Sequence, residues 1–428
     1  MTEITQILLF YLIFFISLFL PINIFSNKNI IKKFNSIELS TFNVGINLNI
    51  LLIFSFFNFS ISEIQPYIFS IFFITFIFIY QKKIKEIKKY FFYLIPVFII
   101  YFILSINIAS ELYFGWDAKF FYYIKSLYFF DGKYLSDLID FSSNKHHPHL
   151  GSYIWGFFWS IGPIKLEYFG RLYYLFIFCL SVFYIANTTK NKNLNYVFYA
   201  LSITLFYEYE FFSGLQEILL FSFLMILSKY IFIFQKTKNN IYIYFILLFS
   251  NLLLWIKSEG IVYLLIILFI ITLIQKNSFR NRLLIILAFL FLCFFKIFIY
   301  QVLDFNLDAQ PFYNLDYLLS LNFGVIINKL MYITTWLFYY GLTNIFFILG
   351  LFFIILVNFT EKNHDYIKVL NIYFISTVSF FYAAYIFREM EIIYAIRTTL
   401  DRLIMTSSGF YVYFIFLKVS KILNQKLT

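Results

Sequence analysis

Charge is scarce in this chain. Only 13% of its 428 residues are Asp, Glu, Lys or Arg, about half of the ~25% usual in soluble domains. Two or three water-exposed domains of this total length are thereby excluded. Glycine (13) and proline (6) are too few for a linker or a low-complexity chain. The two cysteines, Cys179 and Cys293, lie in apolar runs without a neighbouring His or Asp, so they form neither a disulfide framework nor an activated thiol. No Gly-rich phosphate loop is present, which excludes the usual nucleotide cradle. The period-two alternation of a membrane β-barrel is also missing.

What is present is hydrophobic residue, at 62%. It falls in blocks of about 15–22, the length that crosses ~30 Å of hydrocarbon as helix. An all-α polytopic membrane protein follows. Phe (65) and Tyr (37) are abundant together with Ile, Asn and Lys. All are residues of AT-rich codons, so aromatic clusters alone are not read as binding sites. The net charge of +11 does not imply nucleic acid, because the basic residues sit in short connections between apolar runs. The first run, from Ile7, has neither a basic leader nor a small-residue cleavage site, so no cleavable signal peptide is expected.

Thirteen spanning segments are expected, at about 6–25, 41–61, 64–81, 90–109, 171–187, 194–212, 214–235, 240–255, 260–275, 283–302, 341–359, 367–387 and 403–418. Positive residues favour the cytoplasmic side. With the N-terminus outside, the inner connections hold 20 of the 33 basic residues, among them Lys82, Lys83, Lys85, Lys88 and Lys89, beside only four acids. The C-terminus is then cytoplasmic, and a bacterial inner membrane is the expected compartment. Three parts follow: an N-terminal three-helix segment (1–89), a larger membrane module (90–418) and a short tail (419–428).

Most connections are short; residues 110–170 are the exception, and loops of that length usually carry function. Here Gly115-Trp116-Asp117-Ala118-Lys119 opens an aromatic run to Phe130. Asp117 is placed to cap a helix, on which Lys119, Tyr122, Tyr123 and Ser126 would share one face. The rest of that helix is apolar, as expected of a helix lying in the interface. Lys145-His146-His147-Pro148-His149 follows, holding three of the four histidines. His147 and His149, at i, i+2 in an extended segment, could ligate a divalent metal; substrate or phosphate contact and a solvated loop are the alternatives. The apolar run Ser152 to Gly162 is too short to span and reads as a second interfacial or re-entrant helix.

Four more polar clusters map to the outer side. They are Tyr207-Glu208-Tyr209-Glu210 with Gln216-Glu217, Lys257-Ser258-Glu259-Gly260, the acids Asp304, Asp308 and Asp316, and a set before the last span: Arg388, Glu389, Glu391, Arg397, Asp401 and Arg402. Ionisable residues at membrane-embedded helix ends are costly and point to function, against snorkelling as the plain alternative. Lys229 reads as snorkelling, and nothing in the sequence offers Lys296 a partner.

The order of these motifs resembles the GT-C superfamily of integral-membrane glycosyltransferases, in the bacterial branch related to protein O-mannosyltransferases and lipid A aminoarabinose transferases. The residues that carry it are Trp116-Asp117, His147-Pro148, Glu208 and Glu210, Lys257–Gly260 and Leu400-Asp401-Arg402-Leu403, over roughly residues 90–405. Relatives often carry a second acid beside the first loop's Asp, where this chain has Ala118, and Asn where it has Ser258. Many also have one span before the large loop, against three here. The resemblance implies a GT-C-like bundle and transfer of a sugar from a polyprenyl-phosphate donor to a glycan, lipid or protein acceptor at the outer face. Asp117 would then be the catalytic carboxylate. Lys119, His146, His147, Glu208, Glu210, Lys257, Glu259, Arg397, Asp401 and Arg402 are the candidate substrate contacts. Inverting transfer needs a base for the acceptor and cations where the phosphate leaves. A flippase of a lipid-linked saccharide, an oligosaccharide polymerase or ligase, and a non-catalytic scaffold are the competing readings.

Overall fold

The computed structural model describes residues 36–57, 59–110, 113–140, 147–162, 165–189, 191–207, 209–274, 279–305, 323–360, 365–388 and 392–427. Among the described residues every regular element is helical. Seven helices are long and apolar enough to cross a membrane, and up to eight if a bent pair counts as one. This is a helical membrane protein. The thirteen expected spans are not reproduced; the expected span 6–25 lies outside the described residues.

The helices divide into two compact units. The first comprises residues 1–222 with 255–258, the second 223–254 with 259–428.

In the first unit, α1 is Ser36–Phe56 and α2 is Ile61–Ser110. Ser60 and Glu63 form a reciprocal cap on α2: the Ser60 amide donates to Glu63 Oε2 (2.7 Å), and the Glu63 amide to Ser60 Oγ (3.4 Å). The expected break at 82–89 does not occur. Between Tyr67 and Ile95 there is no Gly or Pro, and Lys, Glu, Gln and Ile propagate the helix. Fifty residues of helix measure about 75 Å at ~1.5 Å each, too long for one crossing. Among the described residues of α2, Phe92–Ser110 qualifies as a span.

The long connection that follows is built. A π-turn over Ala118–Tyr122 leads into α3 (Tyr123–Phe130), and a 3₁₀ turn covers Ser136–Asp140. α4 is Leu150–Ile161 and α5 is Tyr168–Ala186. α4 packs between α3 and α5, and also meets α1 and α2. Its residues 150–159 are all buried. A helix apolar on every side belongs inside protein, so of the two alternatives expected for it, interfacial or re-entrant, burial speaks against α4 lying in the interface. α6 (Lys192–Phe206) is capped by Asn191, whose Oδ1 accepts from the Asn193 and Leu194 amides. It stops at Phe206, short of the expected 212, where a 3₁₀ turn (Tyr209–Phe212) intervenes.

α7 (Glu217–Thr237) starts in the first unit and continues in the second. The second unit holds α8 (Ile241–Ile256, all but its last two residues), α9 (Gly260–Ile274), α10 (Phe279–Val302), α11 (Phe323–Thr343), α12 (Ile345–Thr360), α13 (Asp365–Ile386) and α14 (Ile392–Leu427). α11 was not expected; its Asn328, Lys329, Thr334 and Thr335 dilute the apolar signal. It meets α12 at a 99° bend, where Asn344 Oδ1 accepts from the Phe347 amide and starts the new helix. α14 begins well before the expected 403, so Arg397, Asp401 and Arg402 lie on that helix and do not precede it. Polar side chains bond between helices here, as in other membrane bundles. Tyr373 donates to the Ser407 carbonyl (3.0 Å), and Lys329 to the carbonyls of Ile386 (3.3 Å) and Arg388 (2.8 Å).

Gly260 opens α9 against the end of α8: a Cβ there would overlap the Leu253 carbonyl, which is backbone and cannot swing away. Gly260→Ala should therefore lower stability by about 1–3 kcal/mol or more, as overpacking does. A detergent-solubilised melting curve indistinguishable from wild type would contradict the contact.

Candidate functional site

Trp116 and Asp117 form the start of the helix that the π-turn continues. Asp117 is helical in backbone (φ −62°, ψ −36°) and makes no side-chain cap bond, so the expected capping role is not realised. The turn before it is clamped. The Gly115 amide donates to the Ser213 carbonyl (3.1 Å), and Gly214 takes a left-handed φ of +94° that suits glycine. Ala118 is fully buried, and a Cβ on Gly214 would come within 2.9 Å of its methyl. Asp117 is left half-buried beside that contact.

The π-turn fits one extra residue into its turn and shifts the face of the helix. Tyr122 and Ser126 still share the buried side, and Ser126 Oγ donates to the Tyr122 carbonyl (2.7 Å). Lys119 is exposed and does not join them. Trp116, Phe120 and Ile124 are exposed as well, so the outward face is apolar except for Lys119, and the inward face carries Lys125 and Ser126. Lys125, a single charge in an aromatic run, gives no motif in the sequence. It is 1% exposed, and its Nζ donates to the His147 carbonyl (3.2 Å). Burial lowers its pKa to about 7.

His147 and His149 turn to different partners. His147 is half-buried, with Nδ1 3.4 Å from Ser258 Oγ and its ring 6.3 Å from that of Phe121. His149 is buried among Phe56, Phe129, Tyr153 and Trp255. Its Nε2 lies 2.7 Å from Ser55 Oγ. Ser55 spends its one proton on the Leu52 carbonyl (2.6 Å), so the network assigns the Nε2–H to His149 as donor. The expected metal pair is thus not formed, because one ring serves the core and the other the neighbouring break. Among the described residues no three His, Cys, Asp or Glu groups gather as a metal site.

That neighbouring break is the stretch 257–259. Lys257 Nζ binds Glu217 Oε1 at 2.8 Å, with side chains 12% and 3% exposed. Glu217 opens α7, where a carboxylate suits the helix dipole. Beside it, Gln216 satisfies both ends of its amide when the nitrogen donates to the Ile256 carbonyl (2.5 Å) and the oxygen accepts from Ser152 N (3.1 Å) and Oγ (3.2 Å). In the first unit, then, the Asp117 turn, the His147 loop, the start of α7 and the 257–258 break are stitched together. Glu217, visible in the sequence but not chosen as a site residue, is the counter-ion of Lys257.

A second buried charge pair supports the turn. Arg171 has no exposed surface and bridges Glu167 in two-pronged fashion (Nη2–Oε1 2.5 Å, Nε–Oε2 3.2 Å). It also donates to the Phe212 carbonyl (3.3 Å) and lies 5.0 Å from the centre of the Phe114 ring. Burial raises the Glu167 carboxyl above its ordinary value, and Arg171 opposes that rise. The spacing Glu-x-x-x-Arg at the head of a span was the signal available for it.

Of the remaining candidates, His146 and Glu208 lie outside the described residues; Glu210 falls within the 3₁₀ turn Tyr209–Phe212. Glu259, Arg397, Asp401 and Arg402 belong to the second unit. There Arg397 is exposed with its guanidinium 4.9 Å from the centre of the Trp336 ring. Asp401 is exposed on the same helix. Arg402 donates from Nε (3.1 Å) and Nη2 (2.8 Å) to the Thr398 carbonyl one turn back. Lys296 caps the end of α8 through the Leu254 carbonyl (2.8 Å). Lys229 does not snorkel; it is buried with its ammonium 5.8 Å from the Tyr413 ring centre.

Comparison with protein-family models, with curated proteins and with solved structures finds no match to this chain.

Two outcomes follow. Removing one member of a buried ion pair costs about 3–5 kcal/mol, so Arg171→Met or Glu167→Gln should each lower the melting temperature sharply, and the double variant Glu167→Leu with Arg171→Met should recover part of the loss. A double variant worse than the sum of the two singles would argue against the pair. For Lys125 the folded pKa of about 7 lies below the ordinary 10.5. The unfolded chain therefore binds the extra proton between those values, and stability rises with pH across that window. The stability of Lys125→Met relative to wild type should be greatest below pH ~7 and decline toward pH ~10; a difference independent of pH would contradict the burial.

Proposed function

We propose that this chain is an integral-membrane glycosyltransferase. It moves a sugar from a polyprenyl-phosphate donor to an envelope acceptor at the outer face of a bacterial inner membrane, N-terminus outside and C-terminus cytoplasmic. The observation that carries the reading is the half-buried carboxylate of Asp117, held on a clamped turn outside the candidate spans, in the same connected polar region as His147, Ser258, Lys257 and Glu217. Carboxylates held in partly dry surroundings act as general bases.

In the step proposed, the acceptor hydroxyl or amine attacks the anomeric carbon as the bond to the donor phosphate breaks. Its proton passes to Asp117, and the bonding pair leaves on polyprenyl phosphate. The developing phosphate charge calls for fixed cations. Lys257, already oriented by Glu217, is one. Lys119, exposed beside Asp117, would be another within reach of solvent-borne groups. The apolar outward face of Trp116, Phe120 and Ile124 suits a site served by a lipid-borne donor. The histidines are assigned no metal.

Turnover tests this in reconstituted vesicles supplied with a panel of polyprenyl-phosphate monosaccharides and a cell-envelope acceptor extract, with released polyprenyl phosphate followed by mass spectrometry. Wild type should release it, and Asp117→Asn should lower the rate by about 10²–10⁴-fold, the usual contribution of a positioned base. Equal release by both proteins would reject Asp117 as the base. Labelled lipid crossing the bilayer equally in both, without release, would replace the transferase by a flippase.

A further inference from the structure

The loop 147–149 is reached by helix α3 and the π-turn before it at two points. Phe121 lies beside the His147 ring, with centroids 6.3 Å apart. Lys125, four residues on, reaches the His147 carbonyl with its ammonium at 3.2 Å. One helical face thus meets both the side chain and the backbone of a single loop residue. The next residue, Pro148, has no amide proton to donate, and the one after it, His149, is fixed on Ser55. The plane of the peptide between His147 and Pro148 is consequently set by its carbonyl, and that carbonyl is where Lys125 bonds. Turning this peptide would swing the His147 ring away from Ser258 Oγ, 3.4 Å from its Nδ1.

We propose that Lys125 is a positioning residue of the site, holding the His147 carbonyl so that the imidazole stays against Ser258. A buried ammonium is an expensive way to hold a loop, since desolvation works against the charge. A methionine would fill the same space at lower cost. Its presence is explained by what it donates to. The inference rests on the transferase reading only in taking the His147–Ser258 pair as part of the transfer site; the geometric claim stands apart from it.

The test exploits the small number of histidines. Wild type and Lys125→Met, in the same detergent, are treated with diethyl pyrocarbonate, and modification at each histidine is timed by mass spectrometry. His147 is half-buried and His149 is buried, so His149 reports whether the packing survives. The rate at His147 should rise about fivefold in Lys125→Met, as loss of one net hydrogen bond would allow, while His149 stays protected. Lys125→Arg, which keeps a cationic donor, should restore much of the wild-type rate. An unchanged His147 rate with His149 protected overturns the proposal. Exposure of His149 together with His147 also overturns it, because Lys125 would then be a structural residue of the core. In the transfer assay, Lys125→Met should lower kcat and leave the KM for donor unchanged. No transfer by either protein, beside a raised His147 rate, would count against the transferase reading and leave the positioning role intact.

Discussion

A guanidinium keeps its proton at any pH a protein tolerates, so an arginine without exposed surface must be supplied with acceptors or the fold fails. Arg171 meets that condition with Glu167, the Phe212 carbonyl and the face of Phe114. These partners come from three places: the head of α5, the 3₁₀ turn before α7, and the irregular residues before the π-turn. The Trp155 indole adds a fourth by donating to the Glu167 carbonyl (3.2 Å), which brings in α4. The next contact along is Gly115 on Ser213, and two residues later stands Asp117. The position of the candidate base is therefore inherited from the need to satisfy one buried charge.

The same unit inverts the polarity expected of a surface helix. Across the π-turn and α3, Lys125 and Ser126 face inward and Trp116, Phe120 and Ile124 outward. In water this would expose a wasteful apolar stripe; against a bilayer it removes that cost, while the inward polar groups find partners in the His147 carbonyl and the Tyr122 carbonyl. α4 is buried on every side for a complementary reason. At 12 residues it reaches only about 18 Å and cannot satisfy a bilayer, but it can fill the space between α3 and α5.

Sequence reasoning located the turn at Asp117, the His147 loop and the Lys257 break, because each is a polar interruption of an apolar pattern. It went wrong where charge and structure are uncoupled. The lysines of 82–89 read as an inner connection from their charge, yet charge says nothing against helix, and α2 runs through them. α11 was hidden because its Lys329 and threonines lower hydropathy while serving neighbouring helices: Lys329 holds carbonyls at the end of α13, and Thr334 lies 2.8 Å from the Tyr382 hydroxyl. The His147–His149 spacing permitted a shared ion, but spacing alone cannot reveal that Ser55 lies ready for one ring and Ser258 for the other. Lys125 escaped notice because a lone cation in an aromatic run has no pattern and only the fold shows its partner, whereas Arg171 carried a readable signal in its i, i+4 spacing from Glu167.

Two of the three departures from the pattern of the family that the sequence resembles can be set beside these contacts. Ala118 is fully buried and Gly214 lies against it: a Cβ at 214 would come within 2.9 Å of the Ala118 methyl. The turn at 213–215 also carries the Gly115 bond. Ser258 is short where an amide would be longer, and its hydroxyl faces an imidazole. The substitutions thus belong to one arrangement, in which a compact clamp leaves a single carboxylate at the turn and a histidine fills the position opposite the break. In the proposed reading the acceptor's proton goes to Asp117 and the fixed positive charge comes from Lys257, which is paired with Glu217.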